Sequence, residues 1–382
     1  MIARRRIAYL SGTRADFGLV QSTLRKLHAR NDAQVEVLVT GMHLSQAYGL
    51  TVREIEAAGL PITARVPVDV DTRTPLSMVQ AVGQAVQGLA DALHRSRPDL
   101  LLVLGDRGEM LAGALAALHL GVPVAHLHGG ERSGTVDEPV RHAITKLSHV
   151  HLVATEESRD RVVRMGEDPA QVHVVGAPSL DDIAARESAP RAAVLQRLGL
   201  PVGARYVLVL FHPVVQEAHA AAAQTQALMQ ALRAEVLAQG LRAVWLAPNA
   251  DAGSTAILRA VEAEPGGQLH RVTHLPRSDY LDALEHAELL LGNSSSGIIE
   301  ASSFGTPVVN VGTRQRLRQR NANTLDCDAD ADAIARALRQ ALAHGRWPAT
   351  NVYGDGRAGE RIAQLLATVP LPRSLLDKTN AY

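Results

Sequence analysis

The chain has 382 residues, enough for two or three domains each with its own core. Lysine plus arginine and aspartate plus glutamate both number 39, and aromatics make up only 3%, so neither a basic nucleic-acid surface nor a base-stacking platform is advertised. A single cysteine, Cys327, excludes an intrachain disulfide framework, and no run reaches the roughly 18 apolar residues of a membrane span, so a cytoplasmic globular protein without nucleic-acid or membrane partners is expected.

Short apolar runs at 7–12, 35–41, 100–106, 122–128, 150–155 and 172–176 are nearly continuous, as parallel strands covered on both faces are. Ala- and Leu-rich helical stretches lie between them, such as 110–120 with Gly121 as its stop. These elements make a first domain at 1–178, followed by a charged, proline-bounded connector at 179–204. A second series of strands at 206–212, 243–248, 272–275, 289–292 and 307–311 makes a second domain at 205–355. The tail, 356–382, holds a helical stretch at 359–368. The predicted fold class is α/β, two Rossmann-like doubly wound parallel sheets in tandem, with the ligand expected in the cleft between them at the carboxyl ends of the strands.

Several strands run into polar residues: SGTRADFG after the first, Asp106 and Arg107 after LLLVLG, HLHGGE, His212 in FHP, Asn249 in PNADAGS, and GNSSSG. Six such ends on two sheets read as a site. Each residue also has a plainer reading. Asp106 can cap the helix that follows, and Arg14 can be a solvated loop arginine. His126 and His128 alternate along a strand and so face one way, but no third ligand with suitable spacing accompanies them, nor His149 and His151; no metal and no cofactor are expected. Asp137 and Glu138 precede Pro139, and adjacent side chains cannot share a direction; Asp137 is the preferred site carboxylate.

The stretch GNSSSGIIE, 292–300, is the densest cluster. One helix cap needs one serine, whereas Ser294, Ser295 and Ser296 stand with Asn293, Gly297 and Glu300. A phosphate held by hydroxyls and N–H groups, with Glu300 accepting from ribose hydroxyls, accounts for more of these residues, and Arg14 and Arg314 would balance a diphosphate. There is no Walker lysine and no complete GxGxxG after the first strand, so ATPase and NAD readings are weak.

Taken together, SGTRADFG, TGMHLS, GDRGEM, HLHGGE, DEPVRHAITKLSH, HPV, PNADAGS and GNSSSGIIEASSFGTPVVNVGTRQ resemble the UDP-N-acetylglucosamine 2-epimerases, most closely the hydrolysing branch that feeds sialic-acid-type synthesis. The resemblance runs in order along nearly the whole chain. It implies the GT-B architecture with a terminal helix crossing back to the first domain, a UDP-sugar substrate, a homodimer or homotetramer, and release of UDP and N-acetylmannosamine through a 2-acetamidoglucal. Arg14, Arg107, His212, Asn249, Ser294, Ser295, Glu300 and Arg314 match UDP-contacting positions, and Asp106 and Asp137 match acid/base positions. One departure stands out: many relatives carry Glu where this chain has His128, and here the carboxylate follows three residues later as Glu131.

The implied chemistry sets clear demands. No carbonyl is attached to C2 of an N-acetylhexosamine, so its proton is acidified only as UDP departs from C1. Stabilising the leaving diphosphate falls to Arg14, His212, Arg314 and the serine cluster. Removing the C2 proton and returning one from the opposite face needs two groups, for which Asp106, His128, Glu131 and Asp137 are the candidates. The alternative substrate is UDP- or GDP-linked N,N′-diacetylbacillosamine; a GT-B glycosyltransferase and a non-catalytic nucleotide-sugar sensor are the other classes.

Overall fold

The computed structural model describes residues 4–72, 74–134, 136–249 and 251–382. Residues 1–3 of the basic start and Ala250 of the PNADAGS turn therefore lie outside the described residues.

The chain divides into two compact units. The first comprises Met1–Glu131, Asp137–Ala185 and Tyr353–Tyr382; the second comprises Arg132–Val136 and Arg186–Val352.

The first unit holds seven strands: β1 (Arg5–Ser11), β2 (Ala33–Thr40), β3 (Ile62–Val66), β4 (Leu100–Leu104), β5 (Val124–Leu127), β6 (Val150–Val153) and β7 (Val172–Val174). They form one sheet in the order β3-β2-β1-β4-β5-β6-β7, and every pairing is parallel. The order in which successive strands are laid down reverses between β1 and β4, which opens the crevice where doubly wound folds take ligands. Central strands such as β4, LLLVL, are buried at every position because helices cover both faces. Tyr9, Leu102 and Leu127 pack on one face against the helices Arg14–His28 and Ala358–Thr368; Leu10, Leu101 and Val103 pack on the other against Pro75–Ser96 and Gly108–His119. The helix Ala358–Thr368 is started by Asp181, whose carboxylate accepts from the N–H groups of Ala358 and Gly359, both at 2.8 Å, and from Lys26 Nζ at 2.9 Å.

The second unit repeats the plan with β8 (Tyr206–Leu210), β9 (Arg242–Leu246), β10 (Leu269–Val272), β11 (Leu290–Gly292), β12 (Val308–Val311) and β13 (Thr324–Cys327), in the order β10-β9-β8-β11-β12-β13 and again all parallel. Its reversal lies between β8 and β11.

The differences from the sequence reading fall at sheet edges. β3, ITARV, and β13, TLDC, were not expected, and β10 starts three residues before the expected 272. Each is an outermost or near-outermost strand with half-exposed side chains, so none carries a continuous apolar run. After the serine cluster the chain forms a five-residue α-helix, Ser295–Ile299, followed by a 3-10 turn, Ala301–Phe304.

Candidate functional site

Each unit gathers polar side chains at the carboxyl ends of its strands. In the seven-stranded unit, β1 ends at Ser11 and the chain turns at once into the helix Arg14–His28, capped by Thr13. Asp16, three residues past the cap, completes a capping box. It does more than cap. Its carboxylate accepts from Ser11 Oγ at 2.5 Å, Tyr9 Oη at 3.1 Å, the Gly12 N–H at 3.0 Å, and the Thr13 N–H and Oγ1 at 2.6 and 3.0 Å. Ser11 Oγ also meets His43 Nε2 at 2.9 Å. Burial raises the Asp16 carboxyl from its ordinary value, against the opposing pull of His43, Ser11 and Thr13. This network fixes the turn that presents Arg14. Burial lowers the Arg14 guanidinium from its ordinary value, and the nearby Glu54 carboxylate opposes that.

Beyond β4, Asp106 forms an ion pair with Arg141, whose side chain is 1% exposed. The other arm of the same guanidinium donates to the Glu131 carbonyl at 2.9 Å. Arg141 thereby ties the residue after β4 to the turn after β5. Arg107 Nε donates to Glu109 at 3.3 Å. Asp137 opens the helix Asp137–Leu147, which carries Arg141 one turn further on.

The turn after β5 is built around two glycines. His128 adopts a left-handed φ of 65°, its N–H donates to Leu152 O at 3.0 Å, and its Nδ1 lies 2.5 Å from Glu131 Oε1. A Cβ on Gly129 would sit 2.9 Å from His126 Nδ1 and 3.0 Å from Thr145 Oγ1, and Gly130 has φ 75° with the Ser158 backbone pressed against it.

His126 and His128, expected to face one way, have different surroundings. His126 is fully buried, with Nε2 2.8 Å from the Gly105 carbonyl and Nδ1 3.1 Å from Thr145 Oγ1. Burial pulls its imidazole down to about 3, which keeps it neutral. Burial likewise lowers His149, to about 4; its Nδ1 accepts from the Val124 N–H at 3.1 Å. His151 pairs with Glu167 at 2.8 Å. Among the described residues, no three His, Cys, Asp or Glu side chains are grouped to hold a metal ion, and no helix is long and apolar enough to cross a membrane.

In the six-stranded unit, Asn293 stitches the two strands at the reversal. Its Oδ1 accepts from the His212 N–H at 2.8 Å, and its Nδ2 donates to the His212 carbonyl at 2.9 Å. His212 Nδ1 accepts from the Asn249 N–H at 3.2 Å, and Asn249 Nδ2 donates to Asp251 at 2.7 Å. Arg314 donates to the Asn293 carbonyl at 3.2 Å. His212, Asn249, Asn293 and Arg314 therefore form one connected group. Gly292, at φ 141°, has no room for a Cβ against the Leu210 carbonyl, and one on Gly297 would lie 3.0 Å from both Leu290 and Val308.

Ser294 caps the short helix, its Oγ accepting from the Ser296 N–H at 3.4 Å, and Ser295 is the first helical residue. Glu300 is 1% exposed. Its carboxylate is bonded by Arg277 and accepts from Ser296 Oγ at 2.5 Å, and Ser296 Oγ in turn meets Tyr280 Oη. Burial, with the Glu300 charge adding to it, raises the Tyr280 phenol well above its ordinary value.

Asp16, Arg141, Arg277 and Tyr280 were given no role by the sequence reading. T-x-x-D was a readable signal for Asp16 as a cap, and Arg141 stood within the quoted DEPVRH. For Arg277 and Tyr280 no local pattern announces the contact.

The sequence matches the family model described as UDP-N-acetylglucosamine 2-epimerase over residues 25–367. It is 46% identical over 379 residues to the hydrolysing UDP-N,N′-diacetylbacillosamine 2-epimerase of Legionella pneumophila, covering 99% of this chain and 100% of that one. It is 33% identical over 365 residues to the UDP-N-acetylglucosamine 2-epimerase of Neisseria meningitidis, covering 95% of each. The structure resembles that of a UDP-GlcNAc 2-epimerase from Neisseria meningitidis bound to UDP-GlcNAc, with a TM-score of 0.76 at 16% identity, covering 94% of this chain and 99% of that one. That likeness and the two all-parallel sheets bear out the GT-B fold class. The family match and the near-complete overlap with these relatives lead to one conclusion: the chain belongs to the UDP-N-acetylglucosamine 2-epimerase family.

Proposed function

We propose that the protein is a hydrolysing 2-epimerase of UDP-N,N′-diacetylbacillosamine. The observation that carries this is the 46% identity, end to end, to a hydrolysing enzyme of that name, against 33% to a UDP-N-acetylglucosamine enzyme. It favours the substrate that the sequence reading held as its alternative over the N-acetylglucosamine it put first.

In this reading the six-stranded unit holds the nucleotide. Arg314, His212, Ser294 and Ser295 take the diphosphate, with Asn249 beside His212, Gly297 letting the cradle close on the sheet, and Glu300 serving the ribose. Arg14 and Arg107 are the further cations assigned to the diphosphate. Diphosphate departure from C1 is the costly step, and fixed cations and hydroxyls lower it most. Asp106, His128, Glu131 and Asp137 are the acid/base set. One of them takes the C2 proton as the C1–O bond breaks, leaving the glycal and UDP. Another returns a proton to the opposite face of C2 while water supplies hydroxyl to C1.

The test is incubation with UDP-N,N′-diacetylbacillosamine and, separately, UDP-N-acetylglucosamine in deuterated water, followed by NMR. Free UDP and a 2-epimerised sugar carrying deuterium at C2 are expected, with kcat/KM at least about tenfold higher for the diacetylated sugar. Preference for UDP-N-acetylglucosamine overturns the substrate assignment, and product without deuterium at C2 overturns the elimination.

A further inference from the structure

We infer that His128 and Glu131 work as one acid–base dyad, in which the imidazole exchanges the proton with C2 of the sugar and the carboxylate acts only through it. This deepens the function proposed above and rests on it. The turn after β5 is shaped for that contact. His128 takes a left-handed φ, unusual for a residue with a Cβ, and such outliers persist where the surroundings hold them. Gly129 and Gly130 then let the chain double back where side chains would strike His126, Thr145 and Ser158. Two arginines lock the result from outside the turn: Arg161 donates to the Gly130 carbonyl and Arg141 to the Glu131 carbonyl. With its backbone so held, Glu131 places Oε1 2.5 Å from His128 Nδ1, both side chains being 8% exposed or less. A tight turn needs neither a buried imidazole nor a buried carboxylate, and enclosing both is costly unless they are paired.

The pairing decides which group moves the proton. With Glu131 ionised, Nδ1–H donates to Oε1, and proton exchange runs through Nε2. The C2–H bond breaks and its proton joins Nε2. The electron pair forms the C1=C2 bond, and the C1–O pair leaves on the diphosphate. The resulting imidazolium is held by the Glu131 charge, the division of labour known from serine-protease triads. His128 is thus the catalytic base and Glu131 its positioning residue.

The test compares wild type, Glu131→Gln and His128→Gln across pH with UDP-N,N′-diacetylbacillosamine, alongside UDP binding by calorimetry. Wild type should lose kcat on the acidic side as the imidazole protonates. Glu131→Gln should lower kcat of the order of a hundredfold with KM little changed, and should move that acidic limb down by about one pH unit or more. His128→Gln should be slower still and lose the limb. An unmoved limb in Glu131→Gln, a His128→Gln enzyme as fast as wild type, or a Glu131→Gln enzyme that binds UDP yet is no faster than His128→Gln each overturns the proposal. Should Glu131→Gln fail to fold, Glu131→Asp replaces it, with a smaller downward shift expected and an unmoved limb again decisive against it. Nitrogen NMR of the His128 ring reads the dyad independently of turnover. The Nδ1–H tautomer is expected, and an Nε2–H tautomer overturns the proposal. A wild type that releases UDP from neither sugar nucleotide, but shows the Nδ1–H tautomer, would instead indict the functional reading.

Discussion

His126 makes the acid sensitivity of the seven-stranded unit calculable. In the folded chain its imidazole is held at about 3, against an ordinary 6.5 when exposed. A histidine whose folded value is depressed contributes full stability above the unfolded value and loses it as pH falls toward the folded one. At pH 5 the unfolded chain binds a proton that folded His126 refuses, 1.5 units below the ordinary value, which costs about 2 kcal/mol relative to pH 8. The variant His126→Gln removes this titration while its amide can still reach the Gly105 carbonyl. It should be about 1–3 kcal/mol less stable at pH 8 through imperfect replacement of the two ring contacts, yet lose about 2 kcal/mol less than wild type between pH 8 and pH 5. Both tryptophans, Trp245 and Trp347, lie in the other unit, so intrinsic fluorescence would report the wrong sheet. Hydrogen exchange of the β5 and β6 amides measures opening of the right one. If variant and wild type lose protection in parallel as pH falls, His126 is not the neutral structural residue described here.

Asp106→Asn should lower kcat about a hundredfold or more and leave UDP affinity unchanged, as initial rates and calorimetry would show; an unimpaired enzyme would reduce Asp106 to a partner for Arg141. Glu300→Ala should weaken UDP by about 1–3 kcal/mol while 2′,3′-dideoxy-UDP binds variant and wild type alike. A variant that keeps the full preference for ribose would limit Glu300 to holding Arg277 and Ser296. Lys378 Nζ caps the carbonyls of Lys146 and Ser148 at 2.7 and 2.6 Å and pairs with buried Glu167 at 2.6 Å. Burial opposes the Glu167 charge, but bonds from His151, Lys146 and Lys378 outweigh it and hold the carboxyl at about 2. Lys378→Met should therefore destabilise the seven-stranded unit by about 3 kcal/mol in hydrogen exchange, and a loss below about 1 kcal/mol would refute the cap.

What could be read in the sequence, and what could not, follows from how far each residue's partners lie along the chain. β1, β4, β8 and β11 were legible because helices cover both their faces and leave an unbroken apolar run. β3 and β13 were not, because an edge strand shares its side chains between core and water. The polar residues at strand ends stood out by contrast: Asp106, His128, His212 and the first of the serines each come within three residues of an apolar run. Arg141 did not stand out. On a helix, an arginine reads as solvated, and only its ion pair with a residue 35 positions away shows otherwise. Arg277 is hidden from Glu300 in the same way, at a separation of 23. Asp16 was hidden by adequacy: a capping box already explains an aspartate there, so nothing local demands that it also receive Tyr9 and Ser11. Residues that would touch a ligand declare themselves locally, because the fold places them at strand ends. Those that hold such residues in place act through distant contacts that a linear pattern does not contain. Arg141 is the sharpest case, since one guanidinium sets both the Asp106 carboxylate after β4 and the Glu131 backbone after β5, and the spacing of two acid/base candidates thereby depends on a side chain whose partners lie 35 and 10 positions away.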